Sequence, residues 1–147
     1  MEKILISACI VGERCRYDGK NNYTPLVKEL LEKYELVPFC PEVEGGLPIP
    51  RDPSERKKDL VLTKDKKNVT KQFYKGAELA LNICQYLGIH IAILKENSPS
   101  CGVNQIHDGT FSNRLIAGSG VTTELLKRKG IRVISENSIE AFLKETR

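Results

Sequence analysis

The run Ile89-His90-Ile91-Ala92-Ile93-Leu94 is apolar at five of its six positions. A strand with one wet face alternates apolar and polar residues, whereas a nearly continuous apolar run needs cover on both faces. Most of the cover can be read beside it. Thr70 to Leu87 is the best helix in the chain, with apolar residues at 73, 77, 80, 81, 84 and 87 on a 3.6 period and Gly88 at the position after its end. Val121 to Lys129, starting around Thr122 and stopped by Gly130, is a second helix further along the chain.

The remaining elements extend the alternation. Ile4-Leu5-Ile6 reads as the first strand. Thr24 and Pro25 read as an N-cap and first helical residue, ahead of an apolar stripe at 26, 27, 30, 31 and 34. Glu35 to Cys40 reads as a second strand, whose Pro38 suits an edge or an end because it cannot donate to the ladder. Residues 41–53 form a loop rich in Pro and Gly, and 60–70 a charged surface hairpin. Gln105 to Phe111 suggests a turn or hairpin, and 113–120 reads as loop. Ile131-Arg132-Val133-Ile134 is the last strand, and Asn137 with Glu140 opens the final helix as a capping-box-like pair. The predicted fold class is α/β, a Rossmann-like mostly parallel sheet with helices on both faces plus a small charged hairpin. At 147 residues the chain suits a single domain spanning 1–147.

In open α/β sheets ligands bind outside the carboxyl ends of the strands. Cys9 follows the first strand, Cys40 the second, and Cys101 the central one through Ser98-Pro99-Ser100. Parallel strands bring all three thiols to one rim. Soft sulfur ligands select iron–sulfur clusters, zinc or copper(I), while free cysteines also serve as small buried hydrophobes. No Cys-x-x-Cys pair occurs, which disfavours a zinc ribbon or a thioredoxin-type site. Cys84 falls on the apolar stripe of the best helix and reads as core. Cys15 could fold back over Cys9 as a fourth ligand or as a supporting thiol.

Glu42 follows Cys40 by two residues, either as a rim carboxylate suited to proton transfer or as a solvated loop acid. Ser98 and Ser100 could orient a substrate or satisfy turn backbone groups. His90 reads as structural within the central strand, and His107 as a turn residue beside Asp108-Gly109.

The net charge is +4. Much of the excess lies in 51–71, where eight Lys/Arg face four Asp/Glu, a pattern that usually marks a solvated surface. It lacks the interleaved aromatics of a nucleic-acid face. No apolar run approaches the roughly 18 residues of a membrane span, and Met1-Glu2-Lys3-Ile4 is charged too early for a signal peptide. A reducing, cytoplasmic setting is the expectation.

In order along the chain stand Ser7-Ala8-Cys9, Cys15-Arg16-Tyr17-Asp18-Gly19, Cys40-Pro41-Glu42-Val43, Gly45-Gly46-Leu47-Pro48, Pro50-Arg51, Asn68-Val69-Thr70, Gly76-Ala77, Leu94-Lys95, Ser98-Pro99-Ser100-Cys101-Gly102 and Asp108-Gly109-Thr110-Phe111. Taken together, from about residue 3 to 136, they closely resemble domain-of-unknown-function family 523, some of whose members are thiouracil desulfidases. The resemblance implies an oxygen-sensitive [4Fe-4S] cluster held by three cysteines, with Cys9, Cys40 and Cys101 matching those positions best. It also implies an acid/base glutamate at Glu42 and a catalytic serine at Ser98, with Ser100 as the second candidate. The implied reaction is non-redox: sulfur of 2- or 4-thiouracil passes to the open iron, water adds at the ring carbon, and uracil and sulfide leave. Some relatives carry a further domain and act on thiolated tRNA. The chain ends at Arg147 without one, so the expected partner is a small-molecule thiolated pyrimidine rather than a nucleic acid or a membrane.

Overall fold

The computed structural model describes residues 1–145. Four strands, β1 (Glu2–Ser7), β2 (Tyr34–Phe39), β5 (Ile91–Leu94) and β8 (Arg132–Ser135), form one sheet in the order β2-β1-β5-β8. Every pairing in it is parallel: Ile4 lies opposite Leu36, Ile6 opposite Ile93, and Ala92 opposite Val133. The chain adds β2 on one side of β1 and β5 with β8 on the other. This places a topological switch point between β1 and β5, where such sheets open a crevice. Pro38 sits in β2, an edge strand, as its missing N–H requires.

Successive β1 side chains point to opposite faces, so the strand belongs to two cores. Ile4 and Ile6, with Ile93, pack against Val27 and Leu30 of α1 (Leu26–Leu31) and Ile139 and Phe142 of α5 (Ile139–Glu145). Leu5, with Ala92 and Leu94, packs against Ala80, Leu81 and Cys84 of α3 (Thr70–Leu87) and Leu126 of α4 (Val121–Arg128). The expected α/β class with helices on both faces is what the chain adopts. Cys84 is core, as its place on the helical stripe implied. Gly88 ends α3 in a left-handed conformation at φ 69°, which costs glycine nothing.

Two hairpins lie outside the sheet. The first pairs β3 (Ser54–Lys57) with β4 (Leu60–Thr63), one strand earlier than the expected 60–70 hairpin, and Asn68 forms an isolated bridge with Leu62. Val61 drops from it into a third apolar cluster with Val69, Phe73, Ala77 and Val121. The second pairs β6 (Gln105–His107) with β7 (Leu115–Ala117), so part of the expected 113–120 loop is strand. Residues 41–53 are not all loop either, because Pro41 starts the short helix α2 (Pro41–Glu44).

Other boundaries also move. Pro25 caps α1 rather than opening it, and Tyr34, expected on its stripe, begins β2. The final helix is preceded by a 3₁₀ turn over Glu136–Ser138, capped by Ser135 Oγ accepting from Asn137 N at 3.2 Å. Asn137 is therefore inside the turn and not its cap. His90 precedes β5 and is exposed, its carbonyl accepting from Arg132 N. The segment 51–71 is only partly a solvated face, because Arg51 and Arg56 are buried in ion pairs with Glu42 and Glu124. Among the described residues no helix is long and apolar enough to cross a membrane.

Candidate active site

A cavity of about 500 Å³ opens at the carboxyl ends of β1, β2 and β5. Cys9, Cys15, Cys40, Cys101, Glu42 and Ser98 all line it. The three strand-end thiols inferred from sequence therefore line one cavity.

Cys9 sits in the 3₁₀ turn Ala8–Val11, which Gly12 ends at φ 107°. The following loop returns over it. Asn22 donates its backbone N–H to Cys9 O at 2.8 Å and its Nδ2 to Cys9 Sγ at 3.2 Å, and Arg16 Nη1 donates to Asn22 Oδ1 at 3.0 Å. The same loop brings Cys15 beside Cys40, whose Sγ donates to Cys15 O at 3.8 Å, and beside Cys9. Interaction with those two thiols and burial push the Cys15 thiol up. Its partners respond in the opposite direction. Cys9 is lowered to about 7, chiefly by the Cys15 bond, then by Asn22, against burial. Cys40 is also lowered by Cys15 despite its burial. Cys101 is pushed up by burial, with a hydrogen bond from Ser7 working against that.

Cys40 is the N-cap of α2, and Pro41 stands at the first helical position with fixed φ. The helix is only four residues long, so packing must hold it. A Cβ on Gly76 of α3 would collide with Pro41 O, and one on Gly45 with Gln72 O. The backbones of α2 and α3 thus touch, and the contact fixes Glu42 at the rim.

Glu42 is not a solvated loop acid. Its side chain is 18% exposed, and it accepts from Arg51 Nε at 3.2 Å and from Ser98 Oγ at 3.4 Å. Burial raises its proton affinity, while the Arg51 charge, the Arg51 bond and the Ser98 bond lower it, and burial wins. Arg51 is itself anchored by donating to Cys15 O at 2.9 Å and Pro48 O at 3.2 Å.

The loop after β5 is organised by Glu96. Its Oε1 accepts from the backbone N–H groups of Val103, Asn104 and Gln105 at 2.7, 2.8 and 3.1 Å, and its Oε2 from Asn104 Nδ2 at 3.0 Å. Burial raises its pKa, but these donors outweigh it and hold the carboxyl below its usual range. Within that loop Ser98 Oγ accepts from Ser100 N and Cys101 N, each at 3.1 Å, while its own proton faces Glu42. Ser100, expected beside Ser98 as a catalytic candidate, faces the other way. It is fully buried and shares a 2.9 Å bond with Thr122 Oγ1, because the N-terminus of α4 packs directly against it. His107, expected in a turn, lies in β6 and lines the cavity.

Sequence reasoning did not single out Arg51, Asn22 or Glu96. Arg51 looked like part of a charge run, and Glu96 like an ordinary acid after a strand. Only a pairing across the fold distinguishes them.

The donor set fits an iron–sulfur cluster. Cluster thiolates each bind a separate iron, so they surround a volume rather than a point. Here Cys9, Cys40 and Cys101 line one cavity from three different segments. Two of the three strand-end thiols are already biased toward the thiolate.

A doubly wound sheet with soft sulfur donors and a carboxylate–serine pair at its switch point defines the class: an α/β protein with a thiol-lined catalytic cavity. The family is more specific. The 2-thiouracil desulfurase family model matches residues 4–138, and the chain belongs to that family. It is 39% identical over 150 residues to the uncharacterized protein YbbK of Bacillus subtilis strain 168, covering 95% of this chain and 99% of that one. A solved structure of the [4Fe-4S]-dependent thiouracil desulfidase TudS superposes with a TM-score of 0.93 at 44% identity, covering 99% of this chain and 98% of TudS.

Proposed function

We propose that this chain is a [4Fe-4S]-dependent thiouracil desulfidase, converting thiouracil and water to uracil and sulfide without net redox change. The observation that supports it most is that Cys9, Cys40, Cys101 and the Glu42–Ser98 pair line one cavity, in a chain that matches TudS over nearly its whole length. Cys9, Cys40 and Cys101 would hold the cluster. When bound, it supplies a Lewis-acidic iron that draws electron density from the thiocarbonyl.

The chain's own groups handle the water and its protons. Glu42, once ionised, accepts a proton from the water that adds at the thiocarbonyl carbon, with Arg51 Nε donating to it. Ser98 orients that water, and its hydroxyl is itself fixed by two backbone N–H donors and Glu42. As the C–S bond breaks and the carbonyl forms, the hydroxyl proton of the adduct and the proton on Glu42 both leave with sulfur as hydrogen sulfide, so carbon gains oxygen, loses sulfur and keeps its oxidation state. Cys15 stays protonated beside Cys9 and Cys40, with one S–H to donate to one of the two sulfurs, and Ser100 supports the loop through Thr122.

The substrate in this reading is a free base or nucleoside, since Arg51 and Arg56 of the basic segment are occupied inside the protein. We also read residues 1–147 as one domain working in a reducing, cytoplasmic setting, which suits five free thiols. Anaerobic reconstitution should load about four irons and four sulfides per chain and give a protein that forms uracil from 2- or 4-thiouracil. Fewer than about three irons, or a loaded protein that yields no uracil, would sink the proposal.

A further inference from the structure

Two buried side-chain atoms have no hydrogen-bond partner among the described residues, Asn97 Oδ1 and His107 Nδ1. Both residues line the cavity that holds the thiols. Neither atom is itself exposed to the cavity, so each carries the cost of an unpaired buried polar group, about 1–3 kcal/mol, which a turn of its side chain toward a ligand group would remove. The two are also structurally linked. Asn97 forms a bridge with Ile106, the neighbour of His107, so the loop after β5 and strand β6 build one wall. Asn97 holds φ at 70°, a left-handed conformation unusual for a residue other than glycine, immediately before Ser98.

Several other polar groups around the cavity are engaged. Glu42 is bound by Arg51 and Ser98, Lys95 pairs with Glu136, and Glu55 accepts from Gly109 N and Phe111 N. Among the buried side-chain atoms of the described residues, those left unmatched are a carboxamide oxygen and an imidazole nitrogen.

We propose that Asn97 and His107 read the polar edge of the pyrimidine, Asn97 pairing with its N3–H and the adjoining carbonyl. A primary amide presents an acceptor and a donor side by side, the complement of an N–H next to a C=O. In both 2- and 4-thiouracil N3–H flanks the thiocarbonyl carbon and also a carbonyl. One contact made by the residue before Ser98 would therefore orient either isomer. His107 Nδ1 then serves the remaining ring N–H or carbonyl. This assignment rests on the desulfidase reading for its substrate class but makes a claim about binding alone.

Uracil, which has no sulfur, tests that claim by calorimetry on the anaerobic cluster-loaded protein. The wild type should bind uracil about tenfold more tightly than 3-methyluracil, whose N3 cannot donate. Asn97→Leu should bind both with the same, weakened affinity and should raise KM for thiouracil more than it lowers kcat. His107→Phe should weaken both ligands alike and keep the preference. A wild type that does not bind uracil or does not distinguish it from 3-methyluracil overturns the proposal, as does an Asn97→Leu protein that keeps the preference. If Asn97→Leu does not fold, the wild-type comparison of the two ligands still decides. Asn97-dependent uracil binding without sulfide release from thiouracil would defeat the desulfidase reading and leave this one standing. Sulfide release with no preference at N3 would do the reverse.

Discussion

Glu42 is held between a buried setting that favours its proton and an arginine that disfavours it. A base for water must be ionised, so activity should rise with pH through the titration of this carboxyl. Arg51 lowers that titration. Replacing it with methionine removes the lowering, raises the Glu42 pKa, and should move the acidic limb of the kcat/KM profile to higher pH. Arg51→Lys, which keeps the charge but loses the forked donors to Glu42, Cys15 O and Pro48 O, should fall between the two. An unmoved acidic limb in Arg51→Met would show that Glu42 is not the group being titrated. Glu42→Gln should retain the cluster and lose about 10²–10⁴-fold in kcat, the usual worth of a positioned general base. Iron content measured on the same sample separates lost chemistry from lost metal.

At the scale of elements, the important contact is between helices that present almost no side chain to each other. Gly76 of α3 and Gly45 after α2 let backbone meet backbone, and that contact sets where Cys40 and Glu42 stand. A methyl group at Gly76 has only Pro41 backbone to push against, so α2 must move. Gly76→Ala should cost about 2 kcal/mol in denaturant unfolding and lower kcat as well. The same substitution on an exposed helix face would stabilise slightly, so the sign is diagnostic. The loop after β5 works differently, by polar satisfaction. One carboxylate, Glu96, collects the N–H groups of three successive residues and so determines where Ser98 and Cys101 lie. Its depressed pKa gives this loop a pH dependence of known sign. The stability it contributes is full above the unfolded-state carboxyl pKa and is lost as the pH falls through the lower folded-state value.

For the molecule as a whole, four parallel strands end at one rim, and the connections after β1, β2 and β5 all enter one cavity. A cluster held by Cys9, Cys40 and Cys101 would join those three segments. Because the unfolded chain cannot assemble that site, binding adds its free energy to folding. Removing the cluster with chelator under anaerobic conditions should lower Tm by several degrees. Cys84→Ala, a change in the core away from the cavity, should lower Tm without changing the gap between loaded and stripped protein. Equal Tm values with and without iron would argue that the thiols do not share a cluster.

The α/β class and the placing of three thiols at three strand ends were legible in the sequence, because both rest on local signals. Helical and strand periods are written residue by residue, and parallel strands share a rim wherever they lie in the sheet. The family resemblance added roles to Cys9, Cys40, Cys101, Glu42 and Ser98 through motifs that are also local. The second hairpin was not legible, since β7 is three residues long and exposed at each, leaving no periodic pattern to read. Nor were the partnerships that turn nearby residues into a site. Ser98 meets Glu42 across 56 residues, and Cys40 meets Cys15 across 25. Arg51 leaves its charge run to bury itself against Glu42, and Ser100 turns from the cavity to Thr122 across 22 residues. Contacts at such separations depend on how the sheet, two glycine-mediated helix faces and one carboxylate-gathered loop pack together, and only the tertiary structure determines that.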